Sequence, residues 1–136
     1  ALLGAARMIE RIDAIALAHA PLAVGSVGLV EVRPNSRNVV PGEVFFTVDF
    51  RHPDDAVLDA MERQFRSALP ELLEPLKLEH EERRIWDSPA VRFDPALIEC
   101  VRQGAAQAGH AFDVPMRQGL LNQIETAGIE LADECA

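Results

Sequence analysis

An α+β fold, with two helices laid on one face of an antiparallel sheet, is what this sequence predicts. Three observations point to it. Apolar residues recur at helical spacing over residues 2–18, alternate at strand spacing over residues 44–50, and return to helical spacing over residues 57–69. The inferred order is helix, strand, strand, helix, strand, then an appended helical segment. One more strand ahead of Leu2 would complete strand-helix-strand-strand-helix-strand, the ferredoxin-like split βαβ. The expectation is therefore a ferredoxin-like two-layer sandwich with its first strand missing, in a chain cut from something longer.

Each element has its own signal. Ala5, Met8, Ile9, Ile12, Ile15 and Ala16 form the stripe of the first helix, Arg7, Glu10, Arg11 and Asp13 fill other positions, and Pro21 ends it after His19-Ala20. Ser26 to Arg33 is rich in β-branched residues and bounded by Pro34-Asn35-Ser36, so one strand is expected there. Pro41-Gly42 fits the centre of a type II turn, in which Pro sets φ and Gly accepts a positive φ, and a reversal is expected at that pair. Val44, Phe46, Val48 and Phe50 then alternate with Glu43, Phe45, Thr47, Asp49 and Arg51. Arg51 accordingly shares a face with Asp49 and Thr47.

Asp54 is placed to cap a second helix with Val57, Leu58, Met61, Phe65, Ala68 and Leu69 inward, Asp59, Glu62, Arg63 and Arg66 toward water, and Pro70 as its stop. Leu76 to Ile85 is expected as an exposed edge strand, since Lys77, Glu79, Glu81 and Glu82 discourage further strand pairing. Asp94-Pro95 supplies the cap and first-turn proline of a third helix, with Leu97, Ile98, Val101 and Ala105 inward and Gly109 as its stop. A weak helical pattern follows at Leu120, Leu121, Ile124 and Leu131. A boundary at Trp86-Asp87-Ser88-Pro89 separates residues 1–86 from 87–115, and the tail 116–136 stands apart.

Composition narrows the function. With 136 residues, 49% hydrophobic and 26% charged, the chain suits one globular domain. No stretch approaches the roughly 20 apolar residues of a membrane span. The 13 Lys+Arg against 22 Asp+Glu, with no basic run beyond Arg83-Arg84, give no footprint for a nucleic-acid backbone. Cys100 and Cys135 cannot by themselves make a disulfide framework or a four-ligand zinc site, and a reducing, cytoplasmic setting is expected.

Few residues stand out as carriers of chemistry. His19, His52, His80 and His110 share no ligand spacing, so no metal site follows from them. Cys100 lies in an apolar helical stretch without an adjacent His or Lys and is expected as a buried structural thiol. Alternation divides Glu79-His80-Glu81-Glu82 between two strand faces, which fits a solvated edge better than a carboxylate cluster. The informative stretch runs from Pro34 to Pro53. Asn38 offers an amide donor and Arg51 a planar guanidinium fork, a combination suited to a carboxylate. Pairing of Arg51 with Asp49 as a plain surface couple is the competing explanation.

The run PNSRNVVPGEVFFTVDFRHPD, the helix ALLGAARMIERIDAIA before it, and the later Trp86-Asp87-Ser88-Pro89-Ala90 and Phe93-Asp94 segments resemble the lid, or dimerisation, domain of M20-type zinc amidohydrolases. Within them the chain is most similar to the branch of N-carbamoyl-L-amino acid hydrolases, β-ureidopropionases and allantoate amidohydrolases. The resemblance covers roughly residues 1–115. Its Asn-Val-Val-Pro-Gly-Glu turn and Asp-Phe-Arg strand end stand at the family's thirteen-residue Asn-to-Arg separation, 38 to 51.

The resemblance implies Asn38 and Arg51 as substrate-binding residues for the amino-acid carboxylate. It implies no catalytic and no metal-binding residue in this chain. The parent enzyme would use two divalent metal ions, zinc or manganese, held by a catalytic domain, and would pair as a homodimer through the lid. Its substrate would be a small ureido or carbamoyl amino acid, with no nucleic-acid or membrane partner. Residues 1–86 would belong to the lid and 87–115 to the return into the catalytic domain. The family's metal-ligand motifs and the lid His ahead of the first helix do not occur here. Where the family continues with Gly-Ala-Gly-His-Asp, this chain reads Met116-Arg117-Gln118-Gly119-Leu120-Leu121, and the chain alone is expected to be inactive. The alternative is a non-catalytic dimerisation or small-molecule-binding module.

Overall fold

Residues 43–52 form the strand on which the rest is assembled, because their two-residue alternation gives one wholly apolar face. The computed structural model describes residues 1–110, 119–120 and 122–133. It contains α1 (Leu2–Ala18), β1 (Val24–Ser26), β2 (Val30–Arg33), β3 (Glu43–His52), α2 (Asp55–Leu73), a 3-10 turn (Glu74–Leu76), β4 (Leu78–Ser88), β5 (Val91–Arg92), α3 (Pro95–Gln107), β6 (Gly119–Leu120) and β7 (Asn122–Asp133). The main sheet is antiparallel throughout, in the order β1-β3-β7-β4 with β2 also paired to β3. β5 and β6 form a separate two-stranded ribbon.

Val44, Phe46, Val48 and Phe50 are all buried, as the alternation requires, and they meet the stripes of both main helices. From α1 come Ala5, Met8, Ile12, Ile15 and Ala16, while Ile9 remains exposed. From α2 come Leu58, Met61, Phe65, Leu69 and Leu73, with the Phe65 ring edge-on to Phe50 at a centroid distance of 6.0 Å. Asp54 caps α2 as expected, its Oδ1 accepting from Ala56 N at 2.8 Å.

Several local expectations are corrected. The strand expected over Ser26 to Arg33 is two pieces, β1 and β2. Their registers on β3 differ by one residue, Ser26 facing Asp49 and Val30 facing Phe46, so the 27–29 link absorbs one extra residue. Pro41-Gly42 is not a type II turn, because Gly42 lacks the positive φ which that turn demands. The chain turns at Arg37-Asn38, and Gly42 N closes the connection on Arg33 O at 3.1 Å. Pro70 does not stop α2. Burial of Leu69 and Leu73 holds the helix together beyond the one hydrogen bond that proline forfeits.

α3 begins at the Asp94 cap and ends in a Schellman motif at Gly109, whose φ is +74°, as expected. Its inward face is not inward: no residue of α3 is buried, and Leu97 and Val101 are 66% and 60% exposed. Periodicity marks an apolar face but does not supply the surface that covers it. Cys100 on this helix is exposed, contrary to the expectation of a buried thiol, and Cys135 lies outside the described residues.

The weak helical pattern in the tail is also corrected. Residues 119–120 and 122–133 are strands, and Leu121 and residues 116–118 lie outside the described residues. Positions 124, 126, 129 and 131 fall opposite Phe50, Val48, Phe46 and Val44, and a register shift leaves Gly128 as the extra residue between them. This bulge keeps both halves of β7 in phase with the core face of β3, and it breaks the two-residue period by which the strand could have been recognised. β7 lies antiparallel between β3 and β4, the slot that the split βαβ order gives to a strand ahead of the first helix. The slot is filled from the other end of the chain.

β4 is the sheet edge its charges foretold. Glu62, expected to face water, is instead buried beneath it. Arg66 Nη2 donates to Glu62 Oε1 at 3.1 Å, Arg84 binds the same carboxylate through Nε (3.2 Å) and Nη2, and Arg66 also pairs with Glu82 at 3.2 Å. Hydrogen bonding to Glu62 raises the Arg84 pKa above the ordinary guanidinium range. A cation raised in this way contributes its full stabilisation below the unfolded value, so the Arg84 side of the pair does not weaken anywhere near neutral pH.

Replacing Phe46 with Ala is expected to cost about 3–5 kcal/mol, and Asp54→Ala about 0.5–2 kcal/mol. Urea unfolding of the two variants checks both, with the larger loss at Phe46.

Candidate functional site

The alternation that buries Phe50 turns Asp49 and Arg51 to the opposite face of β3. There Arg51 Nε and Nη2 donate to a single oxygen, Asp49 Oδ2, at 3.0 and 2.6 Å. Asp49 is the more enclosed partner, its side chain 15% exposed against 44% for Arg51. The carboxylate therefore orients the guanidinium. A guanidinium has two edges for bidentate bonding, and Asp49 meets the Nε/Nη2 edge.

His52, next along the strand, is buried. Its Nδ1 accepts from Asp54 N at 2.9 Å, which closes the turn leading to the α2 cap.

Asn38 is an exposed residue of the β2–β3 connection, where Ser36 Oγ donates to its Oδ1 at 2.8 Å. The amide N–H groups are then the donors a ligand would meet. Asn38 and Arg51 are not brought together. Glu43 and Arg51 are eight steps apart along β3, which is about 26 Å at strand rise. The helix behind the strand spans a comparable length, about 22 Å from Ala1 to Ala16 at helical rise. Ala1 N reaches Pro41 O at 3.4 Å at one end of α1, whereas Ala16 packs beside Gly25 and Phe50 near the other. The two candidate carboxylate ligands occupy opposite ends of the sheet.

Elsewhere, His19 Nε2 lies 3.3 Å from Gln64 Oε1 across the two main helices. Beside it an open groove of about 670 Å³ is lined by residues including Arg7, Arg11, Ile15, Gln64 and Leu72. This groove is on the helix side of the sheet, away from the face that carries Asp49 and Arg51. Among the described residues no three His, Cys, Asp or Glu gather as a cation site, and no helix is long and apolar enough to cross a membrane. The polar feature missed from sequence is buried Glu62. Its Glu62–Arg66 spacing was visible as a helical i,i+4 pair, but the approach of Arg84 from β4 had no local signature.

No family model matches the chain. The chain is 40% identical over 109 residues to an N-carbamoyl-L-amino-acid amidohydrolase of Rhizobium meliloti, a match covering 80% of this chain and 26% of the relative. A stretch of 40 residues, 29% of this chain and 10% of the relative, is 52% identical to the allantoate amidohydrolase of Escherichia coli K12. The solved structure of a hydantoinase/carbamoylase family amidase from Burkholderia multivorans superposes with a TM-score of 0.75 at 46% identity, over 81% of this chain and 27% of that one. The chain belongs to this carbamoylase and allantoate amidohydrolase family. It spans about a quarter of the length of the relatives it matches.

Because the Arg51–Asp49 pair lies at the surface, with the Arg51 side chain 44% exposed, Arg51→Ala is expected to change unfolding stability by no more than about 1 kcal/mol. Urea unfolding of the purified chain checks this, and a larger loss would make Arg51 a structural residue.

Proposed function

We propose that this chain is the substrate-clamping and dimerisation lid of an M20-type, metal-dependent amidohydrolase that cleaves the linear C–N bond of N-carbamoyl-L-amino acids or related ureido acids such as allantoate. The observation that carries the reading is the 40% identity over 109 residues to a protein named for that reaction. Residues 1–86 then belong to the lid, and 87–115 begin the return into the catalytic domain. The enzyme would work in the cytoplasm on a small ureido or carbamoyl amino acid.

The reaction needs a carbonyl held still while its C–N bond is attacked. Arg51 supplies the hold by taking the substrate carboxylate through two parallel charge-assisted bonds. Asp49 keeps the guanidinium in position beforehand, so less rotamer freedom is lost on binding. Two divalent ions, zinc or manganese, would supply the activated water in the whole enzyme. The described residues of this chain do not form a site for them, and the chain alone is expected to be inactive.

The separation along β3 adds a requirement. One lid cannot place Asn38 and Arg51 on the same carboxylate, so the proposal assigns each site Arg51 from one subunit and Asn38 from the other subunit of a homodimer. The Arg51–Asp49 pair favours the rival reading, a non-catalytic dimerisation or small-molecule-binding module, if its role ends with that pair.

In the full-length enzyme, Arg51→Ala should lower kcat/KM by about 1.5–3 kcal/mol of transition-state stabilisation, roughly 10- to 150-fold. Unchanged hydrolysis of an N-carbamoyl amino acid by that variant would remove Arg51 from the clamp. Co-expressing Arg51→Ala subunits with Asn38→Ala subunits tests the sharing. Mixed dimers should regain one intact site and about half the parental activity per mixed dimer, whereas a site built within one subunit would regain none.

A further inference from the structure

We infer that the irregularity between β1 and β2 builds a side-chain subsite: it sets Val24 beside Arg51, where Val24 receives the α-substituent of an amino-acid substrate and favours an aliphatic one. The inference rests on the reading of Arg51 as the carboxylate clamp. It adds what the enzyme selects next to that carboxylate.

The strand registers carry the argument. Along β2, Glu31 faces Phe45 and Arg33 faces Glu43, so the odd-numbered residues share the outer face of the sheet with Asp49 and Arg51. Along β1, Val24 faces Arg51 and Ser26 faces Asp49, so there the even-numbered residues share it. Had β1 kept the register of β2, Gly25 would stand opposite Arg51 and Val24 would turn to the core face with His52. The extra residue lies between Val27, which packs on the core, and Val30, which faces buried Phe46. Bulges of this kind re-aim side chains, and the one re-aimed here is Val24.

The placement is held from beneath. Gly25 faces Phe50, and a Cβ on it would lie 3.0 Å from both Ala16 Cβ and Phe50 Cε1, so its bare backbone lets β1 press onto the core. That contact fixes a three-residue strand at the sheet edge with Val24 and Ser26 outward. Val24 is 44% exposed, an apolar side chain whose neighbours on that face are Ser26, Asp49 and Arg51. Residues paired across two strands stand about 5 Å apart at Cβ. In an amino acid the carboxylate and the side chain share one carbon, so a substrate gripped by Arg51 carries its substituent to Val24.

Substrate selectivity of the full-length enzyme tests the subsite, with N-carbamoyl-L-leucine compared against N-carbamoylglycine, which has no side chain to seat. Val24→Ala is expected to lower the leucine-to-glycine ratio of kcat/KM by about three- to tenfold. Val24→Ile, which keeps an apolar branched side chain, should preserve the ratio and so separate a lost contact from a general disturbance of β1. An unchanged ratio in Val24→Ala overturns the subsite, and a loss of activity on both substrates in Arg51→Ala then shows that the clamp itself still stands. Failure of the parent enzyme to hydrolyse either substrate overturns the clamp and the subsite together.

Discussion

The contact of one face of β3 with both main helices governs everything else in this molecule. Val44, Phe46, Val48 and Phe50 are buried in one core cluster with side chains of α1 and α2. Because strand side chains alternate, committing the even positions to the core commits Asp49 and Arg51 to the other side. The site is thus a by-product of core packing. A change that slipped β3 by one residue would exchange the oily and polar faces and would take the arginine with it.

The parts of this arrangement that could be read from the sequence are those written in local periodicity. α1, α2 and the phase of β3 follow from regular spacing, and the caps at Asp54 and Asp94 and the Gly109 stop follow from backbone chemistry that one residue decides. Features that depend on distant partners were not legible. Glu62 looks like any exposed helical carboxylate until Arg84 arrives from a strand 22 positions away. The apolar stripe of α3 has the right period but no covering surface, so Cys100, Leu97 and Val101 are exposed. β7 was hidden by its own bulge.

The same division holds for the candidate site. Asn38 and Arg51 stand out as residue types suited to a carboxylate, and the sequence also indicates that Arg51 faces the same way as Asp49. What it does not convey is distance. Thirteen residues can bring two side chains together across a hairpin or hold them far apart, and the outcome depends on whether the intervening residues turn or extend. Here the turn at Arg37-Asn38 comes first and the extension follows, which sends the two residues to opposite ends.

β3 can accordingly be regarded as a ruler. The length of this strand fixes how far one polar end of the sheet stands from the other, and in the proposed dimer it would also set the spacing of the two sites. A single inserted residue would rotate Arg51 into the core. Two inserted residues would restore its face but lengthen the ruler by about 7 Å. The constraint on this segment is therefore on its count of residues as much as on their identity, which makes substitution along its outer face easier to accommodate than any change of length.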